Sequence, residues 1–191
     1  MMAAPLLRMS PEHFLAWERT ETERHQYVRG EVFAMAGGSP RHNAIVANAI
    51  IALGATLRGR GCTVLSSGQR IRSGDGEQYV YVDVSVVCGP LRLVSGTTDV
   101  LENPDLVVEV LSPGTEAYDR GDKWEGYQRI PELRDYVLVS QGSVRVEHFA
   151  RQAGGTWRYG VSGPGAVVLL SDGTELSVDA LYDGVMQLSA G

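Results

Sequence analysis

The sequence predicts a mixed α/β (α+β) fold: a central mixed β-sheet with helices against its faces and additional antiparallel strands toward the C-terminal end. Three observations predict it. Two segments read as buried strands, each carrying one acid: Tyr79–Val87 with Asp83, and Leu106–Leu111 with Glu109. Ile45, Val46, Ala49, Ile50, Leu53 and Leu57 recur at helical spacing, an apolar stripe made to lie on a sheet. Farther on, Tyr136–Val139, Val144–Phe149, Thr156–Val161 and Ala166–Leu170 are strand-like runs separated by glycine-containing turns.

In chain order, Ser10-Pro11-Glu12 starts a short helix. Ser10 can cap, Pro11 suits the first helical position, and Glu12 favours the positive helix end. Gln26–Met35 reads as a hairpin turning at Arg29-Gly30. Ser39-Pro40 repeats the cap signal for a helix over about 40–58, with His42 in its first turn pointing along the core stripe. Thr63–Leu65 and Gln69–Arg72 read as strands, Ser73–Gly76 as a turn, and Gly89–Asn103 as a loop. Thr115–Ile130 reads as a helix stopped by Pro131, and Val178–Tyr182 as a short last helix. No repeat or linker interrupts the chain, so a single domain over 1–191 is expected, its core at about 9–185.

At 191 residues, 43% hydrophobic and 21% charged, the chain can bury a core. Its net charge of −6 argues against a generally basic nucleic-acid binder but suits a carboxylate site for cations. Cys62 and Cys88 form no C-x-x-C pattern and read as two reduced, buried thiols. The start Met1–Arg8 is too short for a signal peptide, and no run of about 20 apolar residues could span a membrane. A cytoplasmic location and no membrane partner are expected.

The chemistry concentrates on the two acids. A buried carboxylate needs a partner, a metal or a shifted pKa. If Asp83 and Glu109 lie on neighbouring strands, they make an oxygen-ligand pair for Mg²⁺ or Mn²⁺, and the Val110 backbone carbonyl could add a third oxygen. Alternation puts Asp83 with Tyr81 and Ser85, and Glu109 with Val107 and Leu111. Lys123 lies on one helical face with Tyr127 and Ile130, which directs it inward. Two carboxylates, a cation and an inward lysine suit phosphodiester hydrolysis. The plainer alternatives are a buried structural ion pair for the acids and a surface lysine at 123.

The segments Met9–Phe14, Met35–Asn43, Val107–Thr115 and Tyr118–Tyr127 resemble the Uma2 family, formerly DUF820, within the PD-(D/E)XK restriction-endonuclease-like superfamily. The resemblance covers about residues 9–185 and is most specific over 107–127. It implies a restriction-endonuclease-like fold and a Mg²⁺- or Mn²⁺-dependent endonuclease acting on DNA as a homodimer. Asp83, Glu109 and Lys123 would then be the catalytic residues. The superfamily's lysine would fall at Leu111, and in this family Lys123 matches instead. His42 matches a family histidine, read here as a packing or supporting residue because a helix N-terminus lowers a histidine's pKa.

Val82 stands where the superfamily has proline, Gln26 where the family usually has glutamate, and Arg29 where it often has aspartate. Glu31 is a possible substitute for the missing glutamate. Gln26, Glu31, His42, Tyr127 and Arg70 complete the candidate supporting or substrate-contacting set, although Gln69, Arg70 and Arg72 read more simply as solvated charges on an edge strand. Gln26 and the acidic charge balance motivate an alternative function: a catalytically degenerate nuclease-fold protein that binds nucleic acid or a protein partner. A hydrolase of some other phosphate ester is a third, weaker reading.

Overall fold

A computed structural model describes residues 5–35 and 37–189. Met1–Ala4, part of the segment tested above as a signal peptide, lie outside the described residues, as do Ala36 of the Met35–Asn43 motif and the last two residues.

The chain starts with β1 (Leu7–Arg8) and α1 (Pro11–Glu18). As the sequence predicts, Ser10 caps α1, its hydroxyl accepting the His13 N–H at 3.3 Å, and Pro11 opens the helix. The hairpin β2 (His25–Val28) and β3 (Glu31–Ala34) turns at Arg29 and Gly30, with φ of 48° and 91°. Two left-handed residues match the natural twist of a two-residue hairpin. Helix α2 (Pro40–Thr56) is capped by Ser39, whose hydroxyl accepts the His42 N–H at 3.2 Å.

There follow β4 (Cys62–Ser66), β5 (Arg70–Ser73), a 3₁₀ turn at Gly74–Gly76, β6 (Gln78–Tyr81), β7 (Val84–Cys88), β8 (Val100–Leu101) and β9 (Leu106–Leu111). The next helical stretch has three parts: α3 (Glu116–Tyr118), a π-helical turn (Asp119–Lys123) and α4 (Trp124–Tyr127). Strands β10 (Asp135–Ser140), β11 (Val146–Arg151), β12 (Trp157–Ser162), β13 (Val167–Leu169) and β14 (Glu175–Ser177) lead to α5 (Val178–Leu181).

The strands form two six-stranded mixed sheets rather than one central sheet, in the orders β1-β3-β2-β6-β5-β8 and β12-β11-β10-β9-β7-β4, with β13-β14 as a separate hairpin. The reason lies at Val82-Asp83. The Tyr79–Val87 run, which reads as one strand, breaks there: β6 pairs with β2 and β5 in the first sheet, and β7 with β4 and β9 in the second. Three smaller differences follow. Strand β10 pairs parallel with β9, the loop over 89–103 contains β8, and β14 lies beyond the expected strands.

The second sheet is covered on both faces. On one, Val84, Val86, Val108, Val110, Val137 and Val139 pack with Ile45, Ala49 and Leu53 of α2 and with α5. On the other, Val107, Leu111, Tyr136 and Leu138 pack with Tyr127 and Ile130. Glu109 alternates onto that second face with Val107 and Leu111, as expected.

Cys62 and Cys88 form a disulfide, which corrects the reading of two free thiols. They stand opposite each other in the β4–β7 register, with Cα atoms 3.9 Å apart, a long-range pairing that cysteine spacing does not reveal. Closing a loop across a sequence separation of 26 should add about 3 kcal/mol. A melting curve with dithiothreitol should therefore shift clearly downward; superimposable curves would contradict this contribution. Among the described residues, no helix is long and apolar enough to cross a membrane.

Candidate active site

Asp83 occupies the step between the two sheets. The β7–β9 ladder ends at Val84–Val108, and the Asp83 carboxylate continues it as a side chain, its Oδ2 accepting the Val110 N–H at 2.8 Å. A short acceptor side chain can replace a ladder carbonyl in this way. The same Oδ2 lies 3.2 Å from Nε2 of His42, delivered by the first turn of α2. Tyr81 is not part of this group, because its hydroxyl donates to Glu18.

Glu109, only 3% exposed, meets the helical segment. Its Oε1 accepts from Lys123 Nζ at 3.0 Å and from the Tyr127 hydroxyl at 2.8 Å. Both inward placements agree with the spacing in the sequence. Asp119 is the residue that the sequence reading missed. It is 2% exposed, and its Oδ1 lies 3.1 Å from the same ammonium. The signal was available, because Asp119, Lys123 and Tyr127 fall at intervals of four.

The π turn loosens the helix's own carbonyl ladder. Two carbonyls within it are taken up by the first and second sheets: Gln78 Nε2 donates to Asp122 O at 2.9 Å, and the Tyr136 hydroxyl donates to Asp119 O at 3.0 Å. Gly126 makes room for Gln78, since a Cβ there would come within 2.2 Å of Gln78 Oε1.

The charges are mutually dependent. Burial pushes the Glu109 carboxyl up, to about 8, against the pull of Lys123; Asp119 and Asp83 add to the rise. Burial opposes the Lys123 ammonium, but Asp119 and Glu109 together hold it above its usual range. For His42, burial again disfavours charge, yet the hydrogen bond and charge of Asp83 prevail and raise its pKa. The net shift is upward, which corrects the expectation of a lowered histidine. A raised histidine pKa stabilises fully below the unfolded value and fades as pH rises through the folded one. In an NMR titration, His42 should have its midpoint above 6.5 in the wild type and a lower one in Asp83→Asn. An unchanged midpoint would rule out this coupling.

Other candidates fall elsewhere. Glu31 pairs with Arg8 across β1–β3. Arg70 is 4% exposed, donates to the Tyr81 hydroxyl and pairs with Glu18 and Asp99. It ties α1 to the first sheet, and β5 lies between β6 and β8, which corrects the reading of a solvated charge on an edge strand. Gln26 alternates with Val28 onto the β2 face that packs against Tyr118, and its buried Oε1 has no hydrogen-bond partner. The ring of Tyr118 lies 5.5 Å from Lys123 Nζ. Among the described residues, no group of three or more His, Cys, Asp and Glu is arranged to hold a metal. What the geometry supplies is a pair of carboxylates beside a lysine.

The family profile of Uma2, described as "Putative restriction endonuclease", matches residues 11–181. The chain belongs to the Uma2 family. It is similar to the uncharacterized protein slr1290 of Synechocystis sp., 38% identical over 186 residues, covering 96% of each chain. It is also similar to the uncharacterized protein sll1609 of the same organism, 29% identical over 157 residues, covering 82% of this chain and 89% of the relative. The crystal structure of "a putative nuclease belonging to DUF820" from Anabaena variabilis has the same fold, with a TM-score of 0.74 and 16% identity, covering 93% of this chain and 99% of that one. The Uma2 match spans the hairpin, α2, the step at Asp83, β9 with Glu109 and the π turn, and so takes in every member of the candidate site.

Proposed function

We propose that this Uma2 protein is a metal-dependent endonuclease that hydrolyses DNA phosphodiester bonds, with Asp83, Glu109 and Lys123 as its catalytic residues. One observation carries the reading. Each acid is fixed through a single oxygen, Asp83 through Oδ2 and Glu109 through Oε1. With those contacts gathered on Oδ2 and Oε1, Asp83 Oδ1 and Glu109 Oε2 are the oxygens we assign to a cation. Two hard oxygens left over at one site fit Mg²⁺ or Mn²⁺, which need only one or two carboxylates and keep several waters. The Val110 carbonyl is the third candidate oxygen, and the orphaned Gln26 Oε1 is a neutral one where the family usually has an acid.

When bound, such a cation supplies Lewis acidity toward the phosphate and a more acidic attacking water. The protein's own residues do the rest. Tyr127 fixes the rotamer of Glu109, joined by Lys123 while no cation is bound, and His42 with the Val110 amide fixes Asp83. The Lys123 ammonium is placed to orient a water and to stabilise charge developing on phosphate oxygens. The resemblance adds a homodimer to this reading.

The test is cleavage of supercoiled plasmid DNA by the purified protein. Nicked and linear products should form with millimolar Mg²⁺ or Mn²⁺ and disappear with EDTA. Intact plasmid under all conditions, together with no Mn²⁺-induced rise in melting temperature, would replace this reading with the non-catalytic binding module.

A further inference from the structure

We infer that Asp119 is a positioning residue, the second seat of the Lys123 ammonium, which takes that ammonium over when Glu109 gives its charge to a divalent cation. This inference rests on the cation reading above. Three observations support it. Lys123 Nζ sits between two buried carboxylates, 3.0 Å from Glu109 Oε1 and 3.1 Å from Asp119 Oδ1. Only the first contact is an aligned hydrogen bond: Asp119 Oδ1 is buried and carries none, although the ammonium is within reach. Asp119 is also held in place independently of its side chain, because the Tyr136 hydroxyl donates to its carbonyl.

An ammonium has three donors on one rotatable stem and can re-aim over this distance. Cation and ammonium compete for Glu109. A lysine with Glu109 as its only counter-charge would resist that exchange, whereas one with a second carboxylate at the same distance can yield without being left unpaired in a buried site.

Calorimetric titration of the full chain with Mn²⁺ tests this through affinity, with no need for activity. Asp119→Asn should weaken Mn²⁺ binding about tenfold or more, and the same change in a Lys123→Met background should weaken it less than about twofold. Equal losses in both backgrounds would mean that Asp119 acts only through its charge, and would overturn the inference, as would unchanged affinity in Asp119→Asn. In both cases the cation site itself would stand. Absence of Mn²⁺ binding by the wild type would overturn the inference and the cation reading together. Should Asp119→Asn not fold, the Mn²⁺-loaded wild-type crystal decides: Nζ is expected to donate to Asp119 Oδ1, and Nζ still donating to Glu109 Oε1 would refute the exchange.

Discussion

Lys123→Met protein should be less stable than wild type by about 3–5 kcal/mol near pH 8.5, the cost of removing one partner from a buried ion pair. The ammonium it loses is 4% exposed and neutralises Glu109 and Asp119, themselves 3% and 2% exposed. Without it, two carboxylates stay buried with no counter-charge. The pH dependence fixes the sign. A carboxyl whose folded pKa is raised takes up a proton on folding, so its penalty is absent below the unfolded value of 4.5 and grows as pH rises toward the folded value. For Glu109 that window already runs from 4.5 to about 8 in the wild type. That loss is shared by the two proteins; the variant's extra deficit from Glu109 opens only as the pH passes about 8, so it should be larger at pH 8.5 than at pH 5. Urea titrations at both values check this; a deficit below about 1 kcal/mol at pH 8.5 would show that Lys123 is not the counter-charge, since it would match a weak surface pair.

Glu109→Gln and Asp83→Asn should each reduce cation-dependent DNA cleavage by at least about a hundredfold, the scale of deleting one preorganised electrostatic group. Both changes are close in shape. The new amide oxygens can still accept from Tyr127 and Lys123, or from the Val110 N–H, so the fold should persist. Each also removes charge from one of the two oxygens proposed to hold the cation, so the Mn²⁺-induced rise in melting temperature should disappear with the activity. A folded variant of either kind that keeps a tenth or more of wild-type cleavage would remove that residue from the mechanism.

The parts of this site that the sequence discloses are those set by local rules. Ser10-Pro11 and Ser39-Pro40 mark helix starts because capping and proline geometry act within one turn. Arg29-Gly30 marks a hairpin turn, and Glu109 stands out as one acid in an apolar run. Lys123 and Tyr127 could be placed inward from spacing alone, and Asp119 obeys the same spacing.

The parts that the sequence conceals depend on distant partners. Alternation runs unbroken through Tyr79–Val87, so nothing local marks the step at Val82-Asp83 from one sheet to the other. That step depends on what β2, β4 and β9 offer on either side. The Cys62–Cys88 disulfide depends on β4–β7 register. Arg70 looks solvated until α1 brings Glu18 against it, and Glu31 looks available until β1 brings Arg8. The widened turn at Asp119–Lys123 is invisible to helical periodicity, because its stability comes from Gln78 and Tyr136 on the two sheets.

The proposed chemistry depends on Asp83 and Glu109 jointly holding a hard divalent cation. Anomalous diffraction from crystals soaked in Mn²⁺ tests it most directly. A peak is expected within bonding distance of Asp83 Oδ1 and Glu109 Oε2, about 2.0–2.6 Å for a hard cation on carboxylate oxygens. A peak bound elsewhere, or none at this pair with the metal in excess, would contradict it.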